Sequence, residues 1–358
     1  MSRLLKYFIS ICLLFTAFKS FAQKDSLQKF TFSGYSEFYY SYDFSNPDQH
    51  EKPDYNYNYK KHDQLNVNLA FVKASYQSKG FRSNMALMKG TYATYNLSSE
   101  PKWVRTIFEA NIGIKLSQKN DLWLDAGVMP SHVGFESAIG GDCFNLSRSI
   151  LAENSPYYET GIKLNYTNKK QTLLFAALLL NGWQKIAFYN WSGTPSIGLQ
   201  FNYKPNTALT FNYSNFIGNT GLDSLGDFRL FHNLFAIYEA SKKVSFIIGF
   251  DIGTQKVKGE RSELWCSPIF ISKLKLNSKN SLAGRLEYYI DRGQVIIPTG
   301  TANGYKTIGA SVNYDFQMTS NLLWRAEYKI YKSKDAIFKY EQPGRINKTA
   351  TVALVCRF

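Results

Sequence analysis

Four histidines, His50, His62, His132 and His232, are the side chains of this sequence best suited to act as a general base. Ser131-His132 is the one place where a hydroxyl and an imidazole are adjacent in sequence. Neighbours on a strand point to opposite faces, so this pair does not predict a nucleophile with its base. His50 and His62 lie in a polar stretch, where we expect solvated side chains. The sequence predicts no catalytic residue, and a membrane-embedded enzyme stays open as an alternative class.

Metal and disulfide chemistry have no matching pattern either. Besides Cys12, which lies in an N-terminal apolar run, the chain has Cys143, Cys266 and Cys356. These three are odd in number and far apart, which matches neither a disulfide framework nor a metal-ligand spacing. We therefore expect no metal and no cofactor.

Charged side chains are placed more informatively near the C-terminus. Within 281–291 and 321–332 they alternate with apolar residues such as Leu286 and Trp324. This two-residue period predicts β-strands with unlike surroundings on their two sides. A charge on the lipid face of a membrane strand costs about 2–4 kcal/mol, so the charges should face a water-filled interior. The predicted pore-lining residues are Arg285, Glu287, Arg325, Glu327, Lys329 and Arg357.

The last ten residues form a strand that ends on an aromatic side chain. Between Thr349 and Phe358, apolar residues such as Val352 share one face, while Thr351 and Arg357 share the other. A closing strand of an outer-membrane barrel needs this pattern, because it pairs with the first strand between lipid and lumen. The aromatic content of 16% suits the interfacial girdles of such a barrel.

Turn signals set the number of strands that must position these residues. Short turns rich in Gly, Asn, Ser, Lys and Pro occur at 78–80, 118–120, 168–170, 204–206, 241–243, 277–280 and 317–321. Longer polar connections lie between them, and short periplasmic turns with long extracellular loops are typical of outer-membrane barrels. We predict an all-β, antiparallel, up-and-down transmembrane barrel of about 16 strands, with 14 or 18 open. A soluble β-sandwich is the alternative fold.

The predicted strands cover 30–44, 63–77, 81–95, 104–117, 121–130, 157–167, 171–182, 194–203, 207–217, 229–240, 244–256, 264–276, 281–291, 304–316, 321–332 and 347–358. Sixteen strands enclose a space wide enough for an aqueous channel. In the alternative, the inward charges form a cross-strand salt-bridge network that plugs the barrel.

The N-terminal residues have the pattern of a secretory signal peptide. Arg3 and Lys6 precede an apolar stretch, and Ser20-Phe21-Ala22 supplies a small-residue exit. We predict that residues 1–22 are a cleaved signal peptide and that 23–358 form one barrel domain. The predicted location is the cell outer membrane.

The connection at 131–156 is too apolar for a solvated loop. Phe135, Ile139 and Leu151 favour a segment folded into the barrel, where it would narrow the pore. Gly140-Gly141 would allow a sharp reversal, and Asn145 or Ser147 would cap a helical turn over 150–153. Packing on an external rim or a partner is the alternative. The candidate constriction residues are Glu136, Asp142, Arg148 and Glu153, with the three carboxylates directed towards the basic wall.

Several motifs resemble a known family. They are Phe32 to Tyr40, Gly127 to Pro130 with Gly134-Phe135-Glu136, and Ser147 to Leu151 followed by Tyr157 to Gly161. In these the chain is similar to the OmpL-like β-barrel outer-membrane porins of Bacteroidota over nearly its whole mature length. The resemblance implies a porin without assigned catalytic residues, and it supplies no solute.

The net charge of the chain limits the kinds of molecule that we expect it to bind. The formal net charge of +15 falls to +12 when Arg3, Lys6 and Lys19 leave with the signal. An anion-preferring pore for small hydrophilic solutes, basic loops on lipopolysaccharide phosphates, or both would fit this excess. The basic residues form no single patch, which argues against nucleic acid. We expect contact with outer-membrane lipid, with the barrel-assembly machinery through the last strand, and in a homo-oligomer. A surface-binding barrel without an open pore is the further alternative.

Overall fold

Sixteen antiparallel strands form one closed barrel in which each strand pairs with its neighbours in sequence and β1 pairs with β16. The computed structural model describes residues 29–187, 194–220, 227–256, 261–338 and 343–358, so the predicted signal peptide lies outside the described residues. The strands are β1 (Lys29–Asp43), β2 (Leu65–Gln77), β3 (Phe81–Lys89), β4 (Ile107–Lys115), β5 (Asp121–Pro130), β6 (Tyr158–Thr167), β7 (Leu173–Leu180), β8 (Ser196–Asn206), β9 (Leu209–Asn219), β10 (Phe228–Glu239), β11 (Val244–Lys256), β12 (Ser262–Lys275), β13 (Asn280–Asp291), β14 (Tyr305–Gln317), β15 (Leu322–Ser333) and β16 (Ile346–Arg357). The predicted fold and the count of 16 are confirmed.

One predicted strand is too long. The sequence predicts a strand over 81–95, but β3 ends at Lys89 and a short helix, α1 (Thr91–Asn96), follows. Gly90 makes the break, since its φ of 129° is disfavoured for other residues and a Cβ there would lie 2.3 Å from the carbonyl oxygen of Asn68. The chain therefore leaves the sheet after Lys89, before the predicted end of the strand at residue 95.

The two faces of the wall differ as the alternation predicts. In β13, Leu282 and Leu286 are exposed on the outside while Arg285 and Glu287 are buried on the inside. The outward apolar side chains of all strands together form the surface that faces lipid in a membrane barrel. No helix in the described ranges is long and apolar enough to span a membrane.

Strands β1 and β16 close the barrel along a seam. Gly34 and Phe358 exchange two backbone hydrogen bonds of 2.9 and 3.1 Å, and the hydroxyls of Ser41 and Thr351 lie 2.7 Å apart inside. The Phe358 ring lies so close to Gly34 that a Cβ there would be 2.1 Å from it. Glycine at position 34 therefore leaves room for the terminal aromatic ring.

The hydrophobic core lies inside the barrel, between the wall and the segments that fold inward. One buried cluster joins Ala138, Leu151 and Ala152 to Ile269 and Ile271 of β12. A second joins Val133 and Ile150 to inward-facing aromatic side chains of several strands. The interior is thus partly filled by chain that belongs to loops.

Candidate functional site in the barrel interior

Loop 3 (residues 131–156, between β5 and β6) lies against the inner face of the barrel. Arg325 of β15 donates to the carbonyl oxygens of Gly140 (2.7 Å), Cys143 and Phe144 (both 3.0 Å). On β14, the Asn313 side chain accepts a hydrogen bond of 3.0 Å from the backbone N–H of Leu146. These bonds satisfy backbone groups that would otherwise be buried without partners.

The helical turn in loop 3 is capped by a residue that the sequence analysis did not choose. Helix α2 (Ile150–Glu153) begins after Ser149, whose Oγ accepts from the Ala152 N–H at 3.1 Å. Asn145 and Ser147, the predicted caps, instead bind strands: Asn145 donates to Ser311 at 3.2 Å, and the Ser147 N–H donates to Glu327 at 2.5 Å. The prediction of the cap was wrong. Three residues with a hydroxyl or amide side chain, Asn145, Ser147 and Ser149, precede the helix, and the local sequence does not show which of them caps it.

Gly140 and Gly141 lie in a tight 3₁₀ turn (Gly140–Asp142), where they also allow close packing. Neither is among the glycines with positive φ. A Cβ at Gly140 would lie 2.3 Å from a carboxylate oxygen of Glu37, and a Cβ at Gly141 would lie 2.1 Å from the Arg357 guanidinium. Because Glu37 is on β1 and Arg357 is on β16, loop 3 sits directly on the seam.

Arg285 is the centre of a buried charge network beneath loop 3. Its guanidinium nitrogens lie 3.2 Å from Glu287, 3.2 Å from Glu327 and 3.6 Å from Glu136 of loop 3. It also donates to the carbonyl oxygen of Ser147 at 2.7 Å. Arg285 is 1% exposed, so the expected contact of this wall with open water is wrong at this position. Loop 3 covers the charges and supplies part of their compensation, as in the alternative of a salt-bridge network.

The other predicted wall residues divide into buried and accessible ones. Arg325 is fully buried and forms a bidentate ion pair with Asp315, at 2.7 and 3.1 Å. Lys329 is 5% exposed, and its ammonium lies 4.9 Å from the centre of the Tyr331 ring. Arg357 differs, because its side chain is 43% exposed and lies 2.7 Å from Asp142 of loop 3. The structure thus brings Arg357 and Asp142 together at the edge of the covered region.

Arg148 serves the fold of loop 3 itself. Its guanidinium donates to the carbonyl oxygens of Ser137, Leu146 and Ala138 at 2.7, 2.9 and 3.0 Å. It is fully buried and contributes no charge to an accessible surface.

Glu153 joins loop 3 to loop 1 (residues 44–64, between β1 and β2). Its carboxylate accepts from the backbone N–H groups of Tyr57 (2.9 Å) and Asn58 (3.1 Å) instead of meeting a basic wall residue within ion-pair distance. Burial raises the pKa of Glu153, and burial likewise raises the pKa of Glu136. Of the three carboxylates that we directed towards the wall, Glu136 and Asp142 contact arginines and Glu153 does not.

Loop 1 also folds inward, which the sequence did not indicate. The Tyr59 hydroxyl donates to Glu37 of β1 at 2.7 Å, and the Tyr59 N–H donates to the Asn68 side chain at 3.0 Å. His62, expected to be solvated, is 1% exposed and accepts from the Asp43 N–H at 2.8 Å. Burial lowers the pKa of His62, in keeping with a neutral ring that accepts this bond. Polar composition does not distinguish such a loop from a solvated one.

Ser131 and His132 close the base of loop 3. Both bind Glu159 of β6, Ser131 through its hydroxyl at 3.0 Å and His132 through Nδ1 at 2.5 Å. The other ring nitrogen of His132 lies 2.7 Å from the carbonyl oxygen of Asn215, so each ring nitrogen already has an oxygen partner other than Ser131. An imidazole whose two nitrogens are both engaged elsewhere, and which is not placed between serine and carboxylate, does not activate the serine.

A second part of the wall remains accessible, and no residue of it is among those predicted to line the pore. We call the inward residues Lys73, Arg82, Lys115 and Lys163 of β2, β3, β4 and β6 the open wall. The Lys73 ammonium lies 2.7 Å from Glu109, and Arg82 binds Asp125 through two contacts of 2.7 and 2.5 Å. Lys115 and Lys163 lie in strands whose apolar residues alternate with polar ones, so this alternation was the signal that could have found them.

Comparison with solved structures gives porins and related channels as similar folds. An anion-selective porin from Comamonas acidovorans has a TM-score of 0.62 at 10% identity, with 92% of this chain and 100% of that chain covered. The outer-membrane channel DcaP of Acinetobacter baumannii has a TM-score of 0.61 at 9% identity, covering 94% and 99%. A trimer form of OmpT of Vibrio cholerae has a TM-score of 0.59 at 8% identity, covering 93% and 100%. A search of curated protein sequences gives no match.

A closed barrel of 16 strands with an inward loop defines the class of outer-membrane porins. The chain belongs to the family described as "Putative beta-barrel porin-2, OmpL-like", whose model matches residues 29–358. The predicted porin function and outer-membrane location are confirmed at this level.

Proposed function

We propose that small hydrophilic solutes and ions cross this porin beside the open wall, with a preference for anions. The observation that carries the proposal is the unequal exposure within the ion pairs of that wall. The side chain of Lys73 is 26% exposed against 7% for Glu109, and that of Arg82 is 32% exposed against 9% for Asp125. At these two pairs the wall presents the cation to the lumen and hides the carboxylate, which favours anions in a narrow path. The pair of Lys115 with Asp121, beside the turn at 118–120, has the opposite inequality, 24% against 39%. The anion-selective porin among the similar structures supports this choice.

The test is the reversal potential of single channels in a salt gradient. Arg82→Gln and Lys73→Gln should each shift it towards cation preference, because each leaves a carboxylate uncompensated beside the path. Lys279→Gln is the matched control, since Lys279 lies exposed in the turn before β13. Unchanged selectivity in both wall variants, with the barrel folded, would place the path elsewhere.

Loop 3 is proposed as the constriction. Asp142 and Arg357 are its accessible charged pair, with side chains 47% and 43% exposed. Glu136, Arg148 and Glu153 act indirectly in this proposal, because they hold the loop in place. Arg285, Glu287, Arg325, Glu327 and Lys329 support the loop from the wall instead of lining the path.

We further propose a non-catalytic protein, supported by the arrangement of Ser131 and His132 around Glu159.

The proposed partners are outer-membrane lipid and lipopolysaccharide, the barrel-assembly machinery and the permeating solutes. A homo-oligomer is proposed by analogy with the trimer form of a similar structure. Native mass spectrometry in detergent distinguishes a trimer from a monomer.

A further inference from the structure

A cavity of about 470 Å³ opens where loop 1 meets the connections after β13 and β15. This volume lies in the range of small-molecule sites, roughly 300–1,000 Å³. One side of the cavity is polar and belongs to loop 1, and the other is apolar. Its lining includes Glu51, Lys52, Asp54, Ile296, Ile297 and Ile337.

Two of the three charged residues in the lining are already neutralised. Glu51 lies 2.6 Å from Lys61 and accepts a hydrogen bond from the Tyr95 hydroxyl. Asp54 lies 3.1 Å from Lys60. Lys52 is left over.

Lys52 is only 5% exposed. Within the part of the chain that the structure describes, its ammonium has no hydrogen bond and no ion pair within 4.0 Å. A largely buried ammonium without a partner is costly, because it has lost most of its water and gained no carboxylate in exchange.

The surroundings of Lys52 leave its charge only partly balanced. Asp43 of β1, Glu153 of loop 3 and Glu327 of β15 favour the charged form, and Lys329 of β15 opposes it. Burial, followed by the effect of Lys329, lowers the pKa of Lys52 to about 7. An anion in the cavity would supply the missing partner.

We propose that this cavity binds small organic monocarboxylates, with the carboxylate on Lys52 and the apolar body against Ile296, Ile297 and Ile337. A single ammonium matches a single carboxylate, and because Lys60 and Lys61 are already paired with Asp54 and Glu51, the described lining of the cavity offers no second free cation to bind another charge of the ligand. The inference deepens the proposed function, because it names a solute class that is captured at the mouth of the barrel.

The probe is benzoate, titrated calorimetrically into the full-length porin in detergent. Benzamide has a similar shape without the charge, and inorganic phosphate has charge without an apolar body. Benzoate should bind, while benzamide and phosphate should bind at least about tenfold more weakly, as expected for a charge-assisted hydrogen bond on an apolar wall. Equal binding of benzamide would overturn the proposal, since recognition would then be apolar only. Tighter binding of phosphate would overturn it as well.

Lys52→Gln should reduce benzoate binding about tenfold or more, whereas Lys52→Arg should retain part of it. Lys102→Gln is the matched control, because Lys102 is exposed in loop 2 (residues 90–106, between β3 and β4). Lys52→Gln should also keep or raise the melting temperature, because it removes an uncompensated charge. A lowered melting temperature with unchanged benzoate binding would show a structural lysine and contradict the proposal.

Conductance separates this inference from the proposed function. A porin that conducts ions but does not bind benzoate would overturn the site and leave the channel intact. Benzoate binding by a barrel without measurable conductance would uphold the site and contradict the channel.

Discussion

Arg285 shows how one side chain sets the character of the interior. The two-residue period places it correctly on the inner face, but it carries no information on what lies opposite. In the structure three carboxylates and a loop carbonyl surround its guanidinium, and one of those carboxylates, Glu136, comes from loop 3. Sequence alternation therefore predicts the face of a residue but not its exposure, because exposure depends on a loop whose Ser147 lies 138 positions away in the chain.

Arg285→Met should destabilise the folded barrel by about 3–5 kcal/mol, because Glu136, Glu287 and Glu327 would remain buried without their shared cation. Urea unfolding from lipid vesicles, followed by tryptophan fluorescence, measures the loss. Arg345→Met is the matched control at an exposed position before β16. If the two variants are equally stable, the charges beneath loop 3 are solvated and the buried network is refuted.

Replacing Arg285, Arg325 or Lys329 with a carboxylate should for the same reason displace loop 3. Any change in ion selectivity should then be a consequence of that displacement.

Lys52 gives the stability of the protein a particular dependence on pH. Its pKa of about 7 in the folded protein lies below the usual value of 10.5, so the unfolded chain holds more protons between these two values. Folding stability should therefore rise from pH 7 to pH 10 through this group, and Lys52→Gln should reduce the rise. Melting temperatures of the two proteins at pH 7 and pH 10 measure it. An identical pH dependence would mean that Lys52 is fully charged throughout.

At the scale of elements, strands and turns were predictable while the inward loops were not. Alternating apolar residues and the Gly/Asn/Ser/Lys turns locate all 16 strands, because both signals are local. The course of loop 1 depends on long-range bonds such as Tyr59 to Glu37, which no local pattern contains. Apolar residues in loop 3 did indicate a packed segment, but its cap at Ser149 and the role of Gly140 became clear only from the packing.

Removing Gly140 to Leu146 should raise single-channel conductance and admit larger sugars in liposome swelling. The deleted segment carries the carbonyl oxygens that hold Arg325, but it contributes nothing to the ladder of the barrel. Arg325 keeps its ion pair with Asp315, so the barrel should still fold. Wild-type conductance and size cutoff in a folded deletion variant would show that loop 3 does not limit the path.

At the scale of the whole molecule, stability depends on the closure of the seam. The terminal Phe358 ring packs over Gly34, and the two residues exchange backbone hydrogen bonds of 2.9 and 3.1 Å. Gly34→Val should lower the fraction of folded, heat-modifiable barrel in outer membranes, because its side chain would occupy the site of the ring. Deletion of Phe358 should have a similar effect. Gly80→Val is the matched control, since nothing lies within 4 Å of a Cβ at that turn glycine. Equal folded amounts in the Gly34 and Gly80 variants would contradict a role of this contact in assembly.

The position of Gly140 and Gly141 on the seam implies an order of events in time. Gly140 packs against Glu37 of β1, while Gly141 packs against Arg357 of β16 and donates its N–H to Tyr35 of β1 at 3.0 Å. The part of the receiving surface that holds these two glycines does not exist until the first and last strands have met. We therefore expect loop 3 to settle fully only after closure, and its binding across the seam then makes reopening of the barrel harder. A newly made barrel would pass through a wide, unobstructed stage before it becomes selective, so that permeability matures later than insertion.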